Sequence, residues 1–227
     1  MPSTLRSTLH RQTTALCLTL GLASVGAFAQ AAHAIEFSAD IVSRDAAGLA
    51  IGAPAKLQVS NNKVRIETPE ASAGFLLTDA DAGTAYFVRP VQQIFMDAKQ
   101  SSRLTQIFIP VDVKDPCRRW QAAAGNAGVP NAGGAWHCER IDDEFVGDRR
   151  ATLYQVASAG SASRRWIDSD LEFPVKLLAA DGTTIALEHI RIEAQPAGLF
   201  DIPPGFRKLD PRALIERIKH SDVWVGP

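Results

Sequence analysis

From Ile35 onward apolar and polar positions alternate in short runs, and clusters of Gly, Pro, Asn and Asp interrupt them about every ten residues. A period of two sends successive side chains to opposite faces of an extended chain, so the pattern predicts an antiparallel meander. Strands are expected near 36–44, 54–60, 63–68, 74–79, 84–90, 93–98, 135–143, 150–158, 163–168, 173–180 and 184–194. Three turns carry specific chemistry. Asn61-Asn62 joins Leu57 and Val59 to Val64 and Ile66, and Asn tolerates the positive φ of a two-residue hairpin. Asp81-Ala82-Gly83 joins 75–78 to 86–88, and Asp181-Gly182 joins 175–178 to 185–187.

Helical periodicity is scarce. The segment from Pro116 to Ala124 fits a short helix, because Pro suits a first turn, and glycines 125, 128, 133 and 134 follow it. A second helix is expected where Asp210 caps, Pro211 begins, and Leu214, Ile215 and Ile218 form an apolar stripe beside Arg212, Glu216, Arg217 and Lys219. The fold class is therefore mainly β with minor α: one antiparallel sheet of about eleven strands with one or two helices, including the C-terminal one. So many antiparallel strands twist and curl rather than lie flat. Something must then fill the concave face, either side chains and a helix or a ligand.

The first 34 residues follow a different pattern. Arg6 and Arg11 stand without an acidic residue, an apolar run extends from Ala15 to Phe28, and Ala32-His33-Ala34 has the small-x-small form cut by signal peptidase. Residues 1–34 are thus expected to be a cleavable signal peptide and 35–227 one domain, placed in the periplasm or, as the alternative, secreted. Cys17 follows Leu16 inside the run, which is not the setting of a lipid anchor, and no later apolar stretch reaches the roughly 20 residues of a membrane span. No transmembrane anchor is expected. Losing Arg6 and Arg11 from 24 Lys plus Arg leaves 22 against 25 Asp plus Glu, a net charge of about −3 with His neutral. That balance speaks against nucleic acid as a partner.

Export also bears on the cysteines. Cys117 and Cys138 remain after cleavage, and an even pair in an oxidising compartment is most simply a structural disulfide. A metal or redox pair competes with that reading, but the spacing is not C-x-x-C and His137 is the only neighbouring His.

Several local motifs follow one another in a familiar order. They are Phe37-x-Ala39-Asp40, Val64-Arg65-Ile66-Glu67, Leu76-Leu77-Thr78-Asp79 leading to Tyr86–Pro90, and Gln93-Ile94-Phe95-Met96. Then come Val146-Gly147-Asp148-Arg149, Trp166-Ile167-Asp168, Phe173-Pro174-Val175-Lys176 and the stretch from Leu199 through Pro203-Pro204 to Phe206. The succession resembles the LolA-like superfamily, the periplasmic domains related to outer-membrane lipoprotein-sorting carriers, and its uncharacterised branches in particular. The resemblance implies an incomplete, strongly curved antiparallel barrel lidded by helices, whose hollow receives acyl chains or other apolar groups. Members also include sensor domains of envelope stress responses. Two departures matter: strand-like residues begin directly at Ile35, leaving no leading lid helix, and a Gly-rich loop bounded by cysteines spans 117–138. Both speak against lipoprotein transport itself and leave binding of an apolar ligand open.

The motifs also have plain structural readings. Trp166-Ile167-Asp168 reads as a sheet edge where the indole buries and Asp168 turns the chain. Val146-Gly147-Asp148 reads as a bend or bulge, and Pro203-Pro204 as the end of the sheet.

Catalytic chemistry finds little footing. Gly160-Ser161-Ala162-Ser163 lacks the second Gly of a nucleophile elbow. His137, His189 and His220 are scattered without metal-ligand spacing, and Asp79-Ala80-Asp81-Ala82-Gly83 meets Pro90 where a calcium loop needs its closing carboxylate. No catalytic residue, metal site or cofactor is expected. Candidates to line a ligand hollow are Leu57, Val59, Val64, Ile66, Tyr86, Val88, Phe95, Trp166, Phe173 and Val175. The leading expectation is a non-enzymatic periplasmic module holding a lipid or other apolar ligand in the hollow of the sheet. The alternative is an envelope protein–protein interaction or regulatory sensor domain that uses a sheet edge or the 117–138 loop.

Overall fold

A computed structural model describes residues 35–69, 74–98, 103–129, 134–158 and 161–210. The signal segment lies outside these, as does the expected C-terminal helix beyond Asp210. The alternating runs form strands β1 Glu36–Arg44, β2 Ala55–Ser60, β3 Lys63–Glu67, β4 Phe75–Asp79, β5 Thr84–Arg89 and β6 Ile94–Asp97. Two helices follow, α1 Leu104–Ile107 and α2 Pro116–Asn126. The chain then returns to strands β7 His137–Val146, β8 Arg149–Ser158, β9 Ser161–Asp168, β10 Phe173–Ala179 and β11 Thr184–Ile192. A short 3-10 turn at Ala197–Phe200 leads to a two-residue strand, β12 Arg207–Lys208.

All twelve strands join one sheet in the order β12-β6-β5-β4-β3-β2-β1-β11-β10-β9-β8-β7. Two meanders, β1 to β6 and β7 to β11, meet where β1 pairs with β11. Every pairing is antiparallel except β12 on β6, and β12 and β7 stand at opposite ends of the order without pairing, so the described sheet is open.

The sheet's curvature follows from what α2 touches. Cys117 in its first turn is bonded to Cys138 of β7, with Cα atoms 5.7 Å apart. Two residues later Arg119 reaches Asp81, just beyond β4, at 3.3 Å. Strands β4 and β7 are eight positions apart in the sheet, which would put them about 38 Å apart if it were flat. An eleven-residue helix is only about 16 Å long. The sheet therefore bends around α2.

Cross-strand register builds the main core. Phe37, Val59 and Val64 stand in one row, and Ala39, Leu57, Ile66 and Leu76 in the next. Each of these side chains is nearly inaccessible, a burial that favours folding by roughly 1.5–3 kcal/mol per large side chain. Phe173 meets Phe37 edge to face at 5.2 Å, and Phe108 stacks beyond it at 6.4 Å. A second cluster joins Trp120 of α2 to Tyr154, Val156 and Ile167. Trp120 Nε1 donates to the Ile107 carbonyl at 3.2 Å, and the Tyr154 hydroxyl donates to the Val113 carbonyl at 2.5 Å. A third cluster, Phe75, Leu77 and Val88, lies on the opposite face of β4 and β5, covered by Ile202 and Phe206.

Four local details differ from expectation. Val146 pairs with Arg149 across Gly147-Asp148, with Gly147 at φ 63°, so this motif is a tight hairpin turn rather than a bend, and β7 runs three residues further than expected. Strand β9 is interior, flanked by β8 and β10, so Trp166-Ile167-Asp168 is not at an edge. The Pro203-Pro204 stretch does not end the sheet, since β12 follows it and pairs in parallel with β6. Helix α1 is a further difference, since its four residues, Leu104–Ile107, are too few to show a helical period in the sequence.

Candidate ligand-binding cavity

Helix α2 does not seat flush on β4 and β5. It leaves a cavity of about 320 Å³ between Thr78, Ala85 and Ala98 on the sheet side and Ala122, Ala123 and Ala127 on the helix side. Thr78 and Ala85 are cross-strand partners, so the floor is a pair of short side chains. Alanines facing such a floor cannot fill the space that larger side chains would occupy at native packing density. Thr105 and Gln106 of α1, with Ile109, close one wall. Thr78 Oγ1 is buried and has no hydrogen-bond partner among the described residues, which leaves an unsatisfied hydroxyl at the floor.

The roof is held at one side by the β4–β5 turn. Asp79 Oδ1 accepts from the backbone N–H of Asp81 at 3.0 Å and of Ala82 at 2.9 Å, which fixes the turn's shape. Arg119 Nη1 donates to the Ala80 carbonyl at 3.2 Å, and its Nη2 pairs with Asp81. Gly83 has φ 62°, and a Cβ there would come within 2.6 Å of Asn126 Nδ2, so the turn and the far end of α2 touch closely. At the mouth, Lys208 Nζ pairs with Asp97 at 3.1 Å, and that bond holds its ammonium above the usual lysine range.

Tyr86, one of the expected lining residues, borders this cavity and a smaller recess of about 190 Å³ beside Phe200 and Ile202. The structure places the others in packed clusters. Leu57, Val59, Val64, Ile66, Trp166, Phe173 and Val175 belong to the main core, and Val88 and Phe95 to the cluster on the other face. The alanines and Thr78 that face each other across the space are small side chains, which carry little sign of a lining role. Their one signal in the sequence is the run Ala122-Ala123-Ala124 followed by Ala127, an alanine-rich face on a helix.

Two further polar arrangements lie near the sheet interior. Arg165 is buried with its guanidinium 4.2 Å from the Trp120 ring and no hydrogen-bond partner for Nη1 among the described residues, and burial lowers its pKa to about 10. A groove of about 980 Å³ lies between the β7–β8 turn and β10–β11, and two of its arginines are held in ion pairs. Arg44 pairs with Glu188 at 2.6 Å, and Arg149 pairs with the buried Asp168. No helix among the described residues is long and apolar enough to cross a membrane.

No family model and no curated protein matches the chain. Among solved structures, PNGF-II is similar over 82% of this chain with a TM-score of 0.50 at 7% identity, and the match spans 33% of that protein's length. MucB is similar over 71% of this chain and 55% of its own, at 13% identity and a TM-score of 0.41. A LolA superfamily protein from Nitrosomonas europaea is similar over 73% and 90% of the two chains, at 12% identity and a TM-score of 0.31. At 7% identity the likeness to PNGF-II is one of fold alone.

Proposed function

We propose that the chain from Ile35 onward is a non-enzymatic module of the bacterial envelope that holds one apolar chain, a lipid or acyl group, beneath α2. The carrying observation is the cavity itself, where alanines of α2 face Thr78 and Ala85 across open space beside the packed main core. Its 320 Å³ is at the small end for ligand pockets and equals the share of about ten water molecules in the liquid. That volume suits a single chain better than a multi-chain lipid. The export signal supports a periplasmic setting, and the cationic groups at the mouth, Arg119 and Lys208, are already paired with carboxylates rather than poised for chemistry.

Displacement of a fluorescent fatty acid, with native mass spectrometry of protein taken from the periplasm, tests the reading. Wild type is expected to bind the probe, and Ala85→Phe, which fills the floor, is expected to weaken binding at least tenfold with the thermal midpoint retained. Equal binding by both proteins, or none by wild type at micromolar concentration, would overturn the proposal.

A further inference from the structure

The two edges of the sheet are treated differently by the chain. At one end β6 is covered by β12, which adds Arg207 and Lys208 alongside Ile94 and Phe95. At the other end β7 pairs with β8 alone, and no described segment lies along its outer side. A free strand presents a row of unpaired N–H and C=O groups, and proteins ordinarily blunt it by keeping it short, by lysines, or by bulges. Strand β7 has ten residues, no lysine and a single bulge near Ile141. It also exposes two large apolar side chains, Ile141 at 51% and Phe145 at 74%.

Charge decides what could pair there. The strand carries Glu139, Asp142, Asp143 and Glu144 against one basic residue, Arg140. Asp143 is occupied by Arg140, Arg150 and Thr152, and Glu144 accepts the Trp166 indole N–H at 2.7 Å. Glu139 and Asp142 have no cationic partner among the described residues. A second copy of this chain pairing edge to edge would set these carboxylates against each other, which is unfavourable for directly opposed residues. The geometry points to β7 as a docking edge for an extended segment of another envelope protein, one that alternates basic and apolar residues. Its main chain would extend the ladder, its cations would meet Glu139 and Asp142, and its apolar side chains would cover Ile141 and Phe145.

Hydrogen exchange on the full mature chain tests this with three synthetic peptides. One alternates lysine and valine, one alternates glutamate and valine, and one has the lysine–valine composition with prolines that forbid a strand. The first is expected to slow exchange in β7 at least tenfold, and the other two to leave it unchanged. The double variant Glu139→Lys, Asp142→Lys alters only exposed positions and is expected to bind the lysine–valine peptide at least tenfold more weakly, as read by anisotropy, with an unchanged circular dichroism spectrum. Binding of the proline peptide as tightly as the first would reduce the effect to charge alone and overturn the inference. So would concentration-dependent protection of β7 without peptide, which signals self-pairing. Protection of β7 that is lost on deleting residues 211–227 would assign the edge to the chain's own end and overturn it equally.

Discussion

Asp168 concentrates several roles in one carboxylate. Its side chain is 1% exposed; Oδ1 accepts from the N–H groups of Asp170 at 2.9 Å and Leu171 at 3.0 Å, and Oδ2 pairs with Arg149. The bond to Asp168 in turn raises the Arg149 pKa above its ordinary value. Asp168→Ala is expected to cost about 3–5 kcal/mol, because it leaves Arg149 without its partner and the turn after β9 without its acceptor. Urea denaturation measures the loss, and Arg149→Met added to Asp168→Ala should recover part of it by removing the stranded cation. That Asp168 turns the chain was legible from the Trp166-Ile167-Asp168 motif. Arg149 as its partner was not, since the pair depends on how β8 and β9 are aligned, which no local pattern reveals.

At the scale of elements, strands were the most legible feature. Side-chain alternation and turn residues such as Asn61, at φ 52°, and Gly182, at φ 85°, specify where each strand starts and stops. Which face each strand buries was not legible, because β1 and β11 lose register between Ser38 and Asp40, and β10 does so between Pro174 and Lys176. Each bulge re-aims the side chains beyond it, so alternation cannot be carried across the sheet by counting. The cavity was hidden for a related reason: a hollow bordered by alanines has no hydrophobic signature. The cysteines were readable from compartment, and their bond anchors α2. Replacing both by Ser is expected to lower unfolding stability by about 3 kcal/mol, since the bonded residues are 21 apart in sequence. The denaturant midpoint of oxidised wild type against the double variant checks this, and equal midpoints would refute it.

For the whole molecule, acid acts on several native carboxyl contacts at once. Hydrogen bonds from Lys56 at 2.6 Å and His189 at 2.9 Å hold the Asp40 carboxyl below its ordinary range across β1, β2 and β11. Ser60 and the Gln195 N–H do the same for Glu36, Thr152 for Asp143, and Thr183 for Asp181. A carboxyl with a depressed folded pKa binds protons more readily when unfolded, so its stabilisation is full above the unfolded pKa near 4 and fades as pH falls through the lower folded value. The contribution of these carboxyls to the urea midpoint is therefore expected to stay level from pH 7 to about 5 and to decline below about 4. Asp40→Asn should shallow that decline, and stability that rises on acidification below pH 4 would contradict the account. The curvature of the sheet belongs to this scale too. It was foreseeable from strand number, but the helix around which it bends was recognisable only as a short Pro-initiated segment.

The placement of the disulfide has a mechanical meaning. Cys117 ties α2 covalently to β7, and Arg119 ties the same turn of helix to the β4–β5 rim, so only two residues of chain separate a bond to the free edge from a bond to the cavity mouth. In mechanical terms α2 is a strut between the free edge of an open arch and a strand eight positions away. A tug on β7 is passed first through a bond that cannot slip, and then through an ion pair that can.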